Sequence, residues 1–326
     1  MAGVFPHRVR GKPVHVPVVA LILVSTAAGL LAWRAVAAAL RTWWGRAPGA
    51  AAAAELRSRS RVARFVRSRL DAEVVTGLAL TLALAATAVA GIAVGLLALA
   101  VRRSDALAGA DSSAASWARD HGGPASHRIL EAITGLASTE WVIVVAVVVG
   151  AVEWVRVPSR WIPVYLATVT LGDSLVTNAV KGAVDRARPA IEPAAATLGP
   201  SFPSGHSSTA AAFFAALALL AGRRRPHAEK AALAGIAVGI AVAVACSRVL
   251  LDLHWLSDVI AGLILGWGWF AFCTAAFGGW LVRFGAPVEA AAAQPAPSPP
   301  TARGPSASTR AWSDRSAAEG SPSSDR

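Results

Sequence analysis

Charge is scarce in this chain of 326 residues: Asp, Glu, Lys and Arg make up 15%, against roughly 25% in ordinary globular proteins. Hydrophobic residues reach 55% and the mean hydropathy is +0.52. Too little polar surface exists to cover a water-soluble body, so the class is an integral membrane protein. Cysteine is scarcer still. Cys246 and Cys273 lie in apolar or apolar-flanked stretches, which supports neither a disulfide framework nor a cysteine-based metal site. Acids are few, 19 against 31 Lys and Arg, and no internal repeat of fixed period is present. The net charge of +12 suits either a nucleic-acid surface or anionic lipid headgroups. Its placement decides between them.

What the chain has in abundance is long uncharged runs, and about 20 mainly apolar residues suffice to cross the hydrocarbon core. Val14 to Trp33 and Val74 to Val101 are wholly uncharged. Trp141 to Val155 carries only Glu153, and Trp161 to Val180 only Asp173. His206 to Ala221, Ala231 to Cys246 and Val259 to Val282 complete the set. The fifth and sixth runs are short, so their helices are expected to extend through the flanking polar residues. The expected fold is all-α, a polytopic transmembrane helix bundle.

Positive charge in short loops marks the cytoplasmic side. The stretch from Arg34 to Glu73 holds Arg41, Arg46, Arg57, Arg59, Arg61, Arg64, Arg67 and Arg69 and belongs there, with Arg57 to Arg69 either a basic amphipathic helix or a solvated charge cluster. Alternation then puts Arg102 to Glu140, Lys181 to Pro203 and Ser247 to Asp258 outside. Glu153 to Arg160 and Arg223 to Lys230 fall inside. Charge so placed is topogenic, which makes nucleic-acid binding a poor reading. The first run fits less well, since it leaves Arg8, Arg10 and Lys12 outside. A signal peptide ending near Ala37-Ala38-Ala39 is the competing reading, but its cleavage would leave the Arg-rich segment outside, so a retained helix is favoured. Beyond Phe284 the chain turns to Ala, Pro, Ser and Arg, densest at Gln294-Pro295-Ala296-Pro297-Ser298-Pro299-Pro300, and disorder is expected.

Polar groups on the outer side gather into three clusters at helix ends. Lys181 closes the fourth run and precedes Arg188-Pro189; Lys is a point charge and Arg a planar fork for phosphate oxygens. Phe202-Pro203-Ser204-Gly205-His206 opens the fifth helix, where Ser204, the amides near Gly205 and the helix N-terminus form an anion cradle or a plain cap. Ser247-Arg248 precedes His254-Trp255-Leu256-Ser257-Asp258, a spacing that lets the Asp258 carboxylate meet an imidazole nitrogen of His254. Each cluster alone is as readily structural as catalytic. Together they place several cations, an anion-binding helix end and two histidines on one side of the membrane.

Lys181 with Arg188-Pro189, Pro203-Ser204-Gly205-His206, and Ser247-Arg248 with His254 and Asp258 resemble the three-part signature of the type 2 phosphatidic acid phosphatase superfamily, without substitution. The resemblance spans about Val74 to Val282, which it implies is a six-helix core. The first helix then becomes an addition, and the domains read as 1–73 (N-terminal helix and Arg-rich linker), 74–284 (catalytic membrane domain) and 285–326 (tail). It further implies that His254 is the nucleophile that forms a phosphohistidine, that Asp258 holds its tautomer, and that His206 is the general acid and then the base. Lys181, Arg188, Ser204, Gly205 and Arg248 would bind the phosphoryl oxygens, with no metal and no cofactor. The substrate implied is a lipid phosphate or pyrophosphate: phosphatidate, phosphatidylglycerol phosphate or polyprenyl pyrophosphate. The site would face the extracytoplasmic side of the plasma membrane.

Two other functions share these features. Vanadate-dependent haloperoxidases are similar in the cationic cradle, but they resemble soluble proteins, which seven apolar runs oppose. A transporter or other non-catalytic membrane protein on the same fold would be expected to lose the nucleophile or acid, and His206, His254 and Asp258 are all present. Three further residues invite a reading. Asp173 inside the fourth run is costly in a membrane and is expected to bond Asn178 or a neighbouring helix rather than to act in catalysis. Asp252 is expected to cap the last helix, and Trp255 to anchor at the membrane interface.

Overall fold

The apolar runs fold as helices, and the polar clusters sit at their ends. The computed structural model describes residues 15–45, 72–156, 160–189, 199–223 and 225–283. The Arg-rich stretch that includes Arg57 to Arg69, and the tail after Phe284, lie outside the described residues.

The helices, in chain order, are α1 (His15–Gly45), α2 (Ala72–Arg103), α3 (Asp105–His121), α4 (Pro124–Gly135), α5 (Thr139–Arg156), α6 (Trp161–Val184), α7 (Gly205–Gly222), α8 (His227–Leu250) and α9 (Leu256–Arg283). Among the described residues no strand is present. Among the described residues five helices are long and apolar enough to cross a membrane, namely α1, α2, α7, α8 and α9, and the pair α4 and α5, bent by 43°, is a sixth candidate. The sixth run extends through its polar flanks as expected, α8 taking in His227 to Lys230 and Ser247 and Arg248, whereas the fifth gains only Gly205 and Gly222 and leaves Ser204 and Arg223 as its caps.

Helix α6 differs from the expectation of a simple apolar span. Its 24 residues cover about 36 Å, but its composition is too polar for it to pass as a span. The reason is its inner face. Tyr165, Leu166, Val169, Asp173 and Thr177 are all buried, so the polar groups of Tyr165, Asp173 and Thr177 meet protein rather than lipid, while Ser174 and Asn178 are exposed. Asp173 accepts hydrogen bonds from Ser208 at 2.5 Å and Thr209 at 2.9 Å on α7, the neighbouring-helix partnership expected from sequence.

The segment between Arg102 and Glu140, expected to be an external connection, instead contains α3 and α4. Ser104 caps α3 by accepting from the Leu107 amide at 3.3 Å, and Pro124 starts α4, a position where its missing N–H costs nothing. Asp111, Ala115 and Ala118 bury one face of α3, and Ser126, Leu130 and Thr134 one face of α4. Both helices pack against α8, and α3 also against α9.

Close helix crossings bring the site together. A Cβ at Gly262 on α9 would stand 2.5 Å from the Ser204 carbonyl oxygen and 2.9 Å from Ser207 Cβ, and one at Gly266 would collide with the Ser208 carbonyl. Glycine at these two positions lets α9 press against the start of α7, as small residues do in membrane interfaces. The same device holds α1 to α8: a Cβ at Gly235 would lie 2.6 Å from the Gly29 carbonyl oxygen. Around this frame Tyr165, Leu166, Val169, Phe213, Ala216 and Cys273 form an apolar core between α6, α7 and α9.

Candidate active site

The C-terminal ends of α6 and α8 and the N-terminal ends of α7 and α9 meet at one end of the bundle, and backbone bonds tie the three signature segments to one another. The Ser201 amide donates to the Arg186 carbonyl at 2.7 Å, and the Ser204 amide to the Asp258 carbonyl at 2.9 Å. Trp255 Nε1 donates to the Ala187 carbonyl at 2.9 Å. Trp255 therefore serves as a strut between two segments, with the Arg186 guanidinium 5.4 Å from its ring centroid, rather than only as the interfacial anchor expected from sequence.

His254 precedes α9 and is 2% exposed. Its Nε2 is 3.0 Å from Arg188 Nη1. A guanidinium only donates, so Nε2 is the acceptor and the imidazole proton of the neutral ring resides on Nδ1. That nitrogen faces Asp258 Oδ2 at 3.5 Å, an ion-pair distance longer than a hydrogen bond, and has no hydrogen-bond partner among the described residues. Burial lowers the His254 pKa to about 4; the Asp258 carboxylate opposes this and Arg248 and Arg188 add to it. The ring is thus neutral near pH 7.

Arg188 is held in place by backbone. Its Nε donates to Gly199 at 3.0 Å and its Nη1 to Leu253 at 2.9 Å, both to carbonyls. Burial depresses its pKa, which the Asp258 charge partly offsets. Arg248, 7% exposed, contacts the Thr134 hydroxyl of α4 through Nη1 at 3.3 Å, while its Nε has no hydrogen-bond partner among the described residues. Lys181 lies within electrostatic range of Arg188, Arg248 and Asp258, and its Nζ would be 3.9 Å from a Cβ at Gly205. His206, in the first turn of α7, is coupled electrostatically to Arg248, His254, Lys181 and Arg188. Ser204 is the N-cap of α7, its hydroxyl oxygen accepting from Ser207 Oγ at 3.0 Å.

All eight residues singled out in the sequence, Lys181, Arg188, Ser204, Gly205, His206, Arg248, His254 and Asp258, thus belong to one end of the bundle. Three cations cluster there around two histidines. Such a charge distribution suits a multiply charged anion with several oxygens, and a helix N-terminus adds favourable dipole.

Three residues of the same neighbourhood carried no assignment from sequence. Arg186 donates to Asp258 at 2.6 Å and to Asp111 at 2.7 Å. Ser257 bonds Asp111 through both its amide, at 2.8 Å, and its hydroxyl, at 2.6 Å. Asp111 comes from α3, where an acid between Ala110 and Ser112 has no local signal. Asp252, expected to cap the last helix, does not: its φ is +57°, α9 begins only at Leu256, and its carboxylate pairs with Arg119 at 3.3 Å. The bond to the backbone at the start of α9 comes instead from Asp258, whose Oδ2 accepts the Trp255 amide at 3.1 Å.

Known proteins share both the sequence and the fold. Residues 162–280 match the PAP2 superfamily. The chain is 33% identical to the lipid A 1-phosphatase of Rhizobium etli over 168 residues, which is 44% of this chain and 68% of that protein. It is 30% identical over 148 residues to phosphatidylglycerophosphatase B of Bacillus subtilis, covering 44% of this chain and 71% of the relative. The crystal structure of a transmembrane PAP2-type phosphatidylglycerolphosphate phosphatase from Bacillus subtilis superposes with a TM-score of 0.56 at 28% identity, over 61% of this chain and 98% of that one. With the signature residues gathered at one end of an apolar bundle, the chain belongs to the PAP2 superfamily and is an integral membrane phosphatase.

Proposed function

We propose that this phosphatase hydrolyses a lipid phosphate or pyrophosphate through a phosphohistidine, with the lipid chains in the bilayer and the headgroup in the cationic pocket. The observation that carries the reading is the line Arg188, His254, Asp258: the imidazole Nε2 lies 3.0 Å from a guanidinium and Nδ1 3.5 Å from a buried carboxylate.

In this mechanism the arriving phosphoryl oxygens draw Arg188 from Nε2 and engage it with Lys181 and Arg248. His254 Nε2 attacks phosphorus in line, a P–N bond forms as the P–O bond to the lipid breaks, and the ring becomes cationic with its proton still on Nδ1. Asp258 stabilises that charge. His206 gives a proton to the leaving oxygen, then takes one from the water that cleaves the P–N bond. The negative phosphoryl group favours a protonated His206 at the first step. Three cations, the Ser204 hydroxyl and the Gly205 amide take up the charge that a metal would otherwise offset.

Lipid is favoured over soluble esters because the site opens at the ends of membrane-length helices. The names of the relatives favour the 1-phosphate of lipid A or a phosphatidylglycerol phosphate, and phosphatidate and polyprenyl pyrophosphate share the same phosphoryl group. The extracytoplasmic side of the plasma membrane is favoured because Arg156, Arg223, Arg225 and Lys230 lie at the opposite ends of α5, α7 and α8. A panel of these lipids in detergent micelles, with phosphate release measured for wild type and His254→Ala, tests the reading. Release from at least one lipid by wild type and none by the variant supports it; equal release by both refutes it.

A further inference from the structure

Asp258 does not stand alone behind His254. While its Oδ2 faces the imidazole, its Oδ1 accepts from Arg186 Nη1 at 2.6 Å, and the other terminal nitrogen of Arg186 turns to Asp111 at 2.7 Å. Asp111 and Asp258 are 2% and 0% exposed. Ser257 locks the far carboxylate with its amide and hydroxyl, and its hydroxyl also accepts from Arg186 at 2.7 Å. One guanidinium is thereby shared between two buried carboxylates from helices far apart in sequence.

The charge balance gives this arrangement a consequence. An Arg186 and Asp258 pair alone is neutral, and its field at the imidazole would largely cancel. With Asp111, two carboxylates and one guanidinium leave one net negative charge behind His254. On its other sides the ring faces the charge of Arg188, 3.0 Å away, and of Arg248, both of which oppose positive charge on it, and it is coupled to His206. A phosphorylated imidazole that keeps its Nδ1 proton is cationic, so a negative unit at its back is what the intermediate needs.

We infer that Arg186 and Asp111 are positioning residues for the hydrolytic reaction: Arg186 fixes the Asp258 carboxylate with Oδ2 toward His254, and Asp111 restores the negative charge that Arg186 would otherwise neutralise. The inference rests on the proposed roles of His254 and Asp258. Two substitutions separate it from a structural role because they change charge in opposite senses. Asp111→Asn is isosteric and removes a negative charge, so the acid limb of kcat/KM moves to lower pH. Arg186→Gln removes a positive charge, so the same limb moves to higher pH. Shifts of about half a unit or more are expected for a buried unit charge so near, with kcat reduced at least about tenfold and KM changed little. Ser257→Ala removes hydrogen bonds and no charge, and leaves the limb in place.

The measurement is a pH series of phosphate release by folded, detergent-purified protein, with monodispersity checked by gel filtration. Either charge variant that folds is decisive: a shift in its stated direction supports the inference, and an unmoved limb, or one displaced alike by Ser257→Ala, overturns it. Should neither charge variant fold, Arg186→Lys, which keeps the charge but cannot fork, decides the matter through kcat: a fall at constant KM supports the inference and wild-type kcat overturns it. Full activity of His254→Ala would instead remove the underlying mechanism, so the two failures are told apart.

Discussion

Arg188 Nη1 and His254 Nε2 lie 3.0 Å apart, and because only the imidazole can accept in that pair, the contact fixes the tautomer of the ring. A buried histidine beside Arg248 and Arg188 would be expected to resist protonation, and its pKa falls to about 4, burial being the largest cause. The folded value is below the ordinary 6.5, so the His254 ring is neutral above about pH 5 and loses its lone pair as pH falls through 4. The acid limb of kcat/KM is therefore expected near pH 4. A rate profile with a substrate of low phosphate pKa, measured on folded protein, checks this.

His206 is expected to act on the leaving oxygen. Its replacement by Ala lowers kcat for a lipid phosphate by about 10²–10⁴ with little change in KM. The deficit shrinks for an aryl phosphate whose leaving group needs no proton. Comparing the two substrates on the same variant measures the effect directly.

In the proposed mechanism Lys181, Arg188 and Arg248 supply the positive charge to the phosphoryl oxygens. Replacing Lys181 by Met or Arg248 by Gln is expected to reduce kcat by about 10²–10³ each. Release of phosphate by the wild type is expected to persist in excess EDTA, and activity abolished by chelation and restored by magnesium would contradict the role given to these cations.

Asp173 is expected to serve the bundle rather than the chemistry. Its carboxylate ties α6 to Ser208 and Thr209 of α7, so Asp173→Ala leaves two hydroxyls without their acceptor, at about 1–3 kcal/mol for each group left unpaired. A lower thermal midpoint in detergent, with turnover per folded molecule near wild type, is the expected result.

Much of this was legible in the chain. Long uncharged runs announce helices because a membrane admits little else, and the spacings at Lys181, Ser204, Arg248 and His254 mark the site because each cluster stands at the end of such a run. What escaped had no local pattern. Asp111 is separated from its partners Arg186 and Ser257 by 75 and 146 residues, and Arg186 sits between two cations that drew the assignment to themselves. Helices α3 and α4 carry too few apolar residues in a row to be seen as spans, since only one face of each is buried. Asp252 reads as a cap by residue type, but its left-handed backbone places it outside the helix and beside Arg119.

In the proposed mechanism His254 Nε2 bonds to phosphorus, and rapid acid-free denaturation of the enzyme during turnover of a lipid carrying ³²P in its terminal phosphate tests that most directly. The expected result is label on the wild-type chain, stable to base, released by mild acid, and absent from His254→Ala. Label retained by His254→Ala, or label on another side chain, would contradict it.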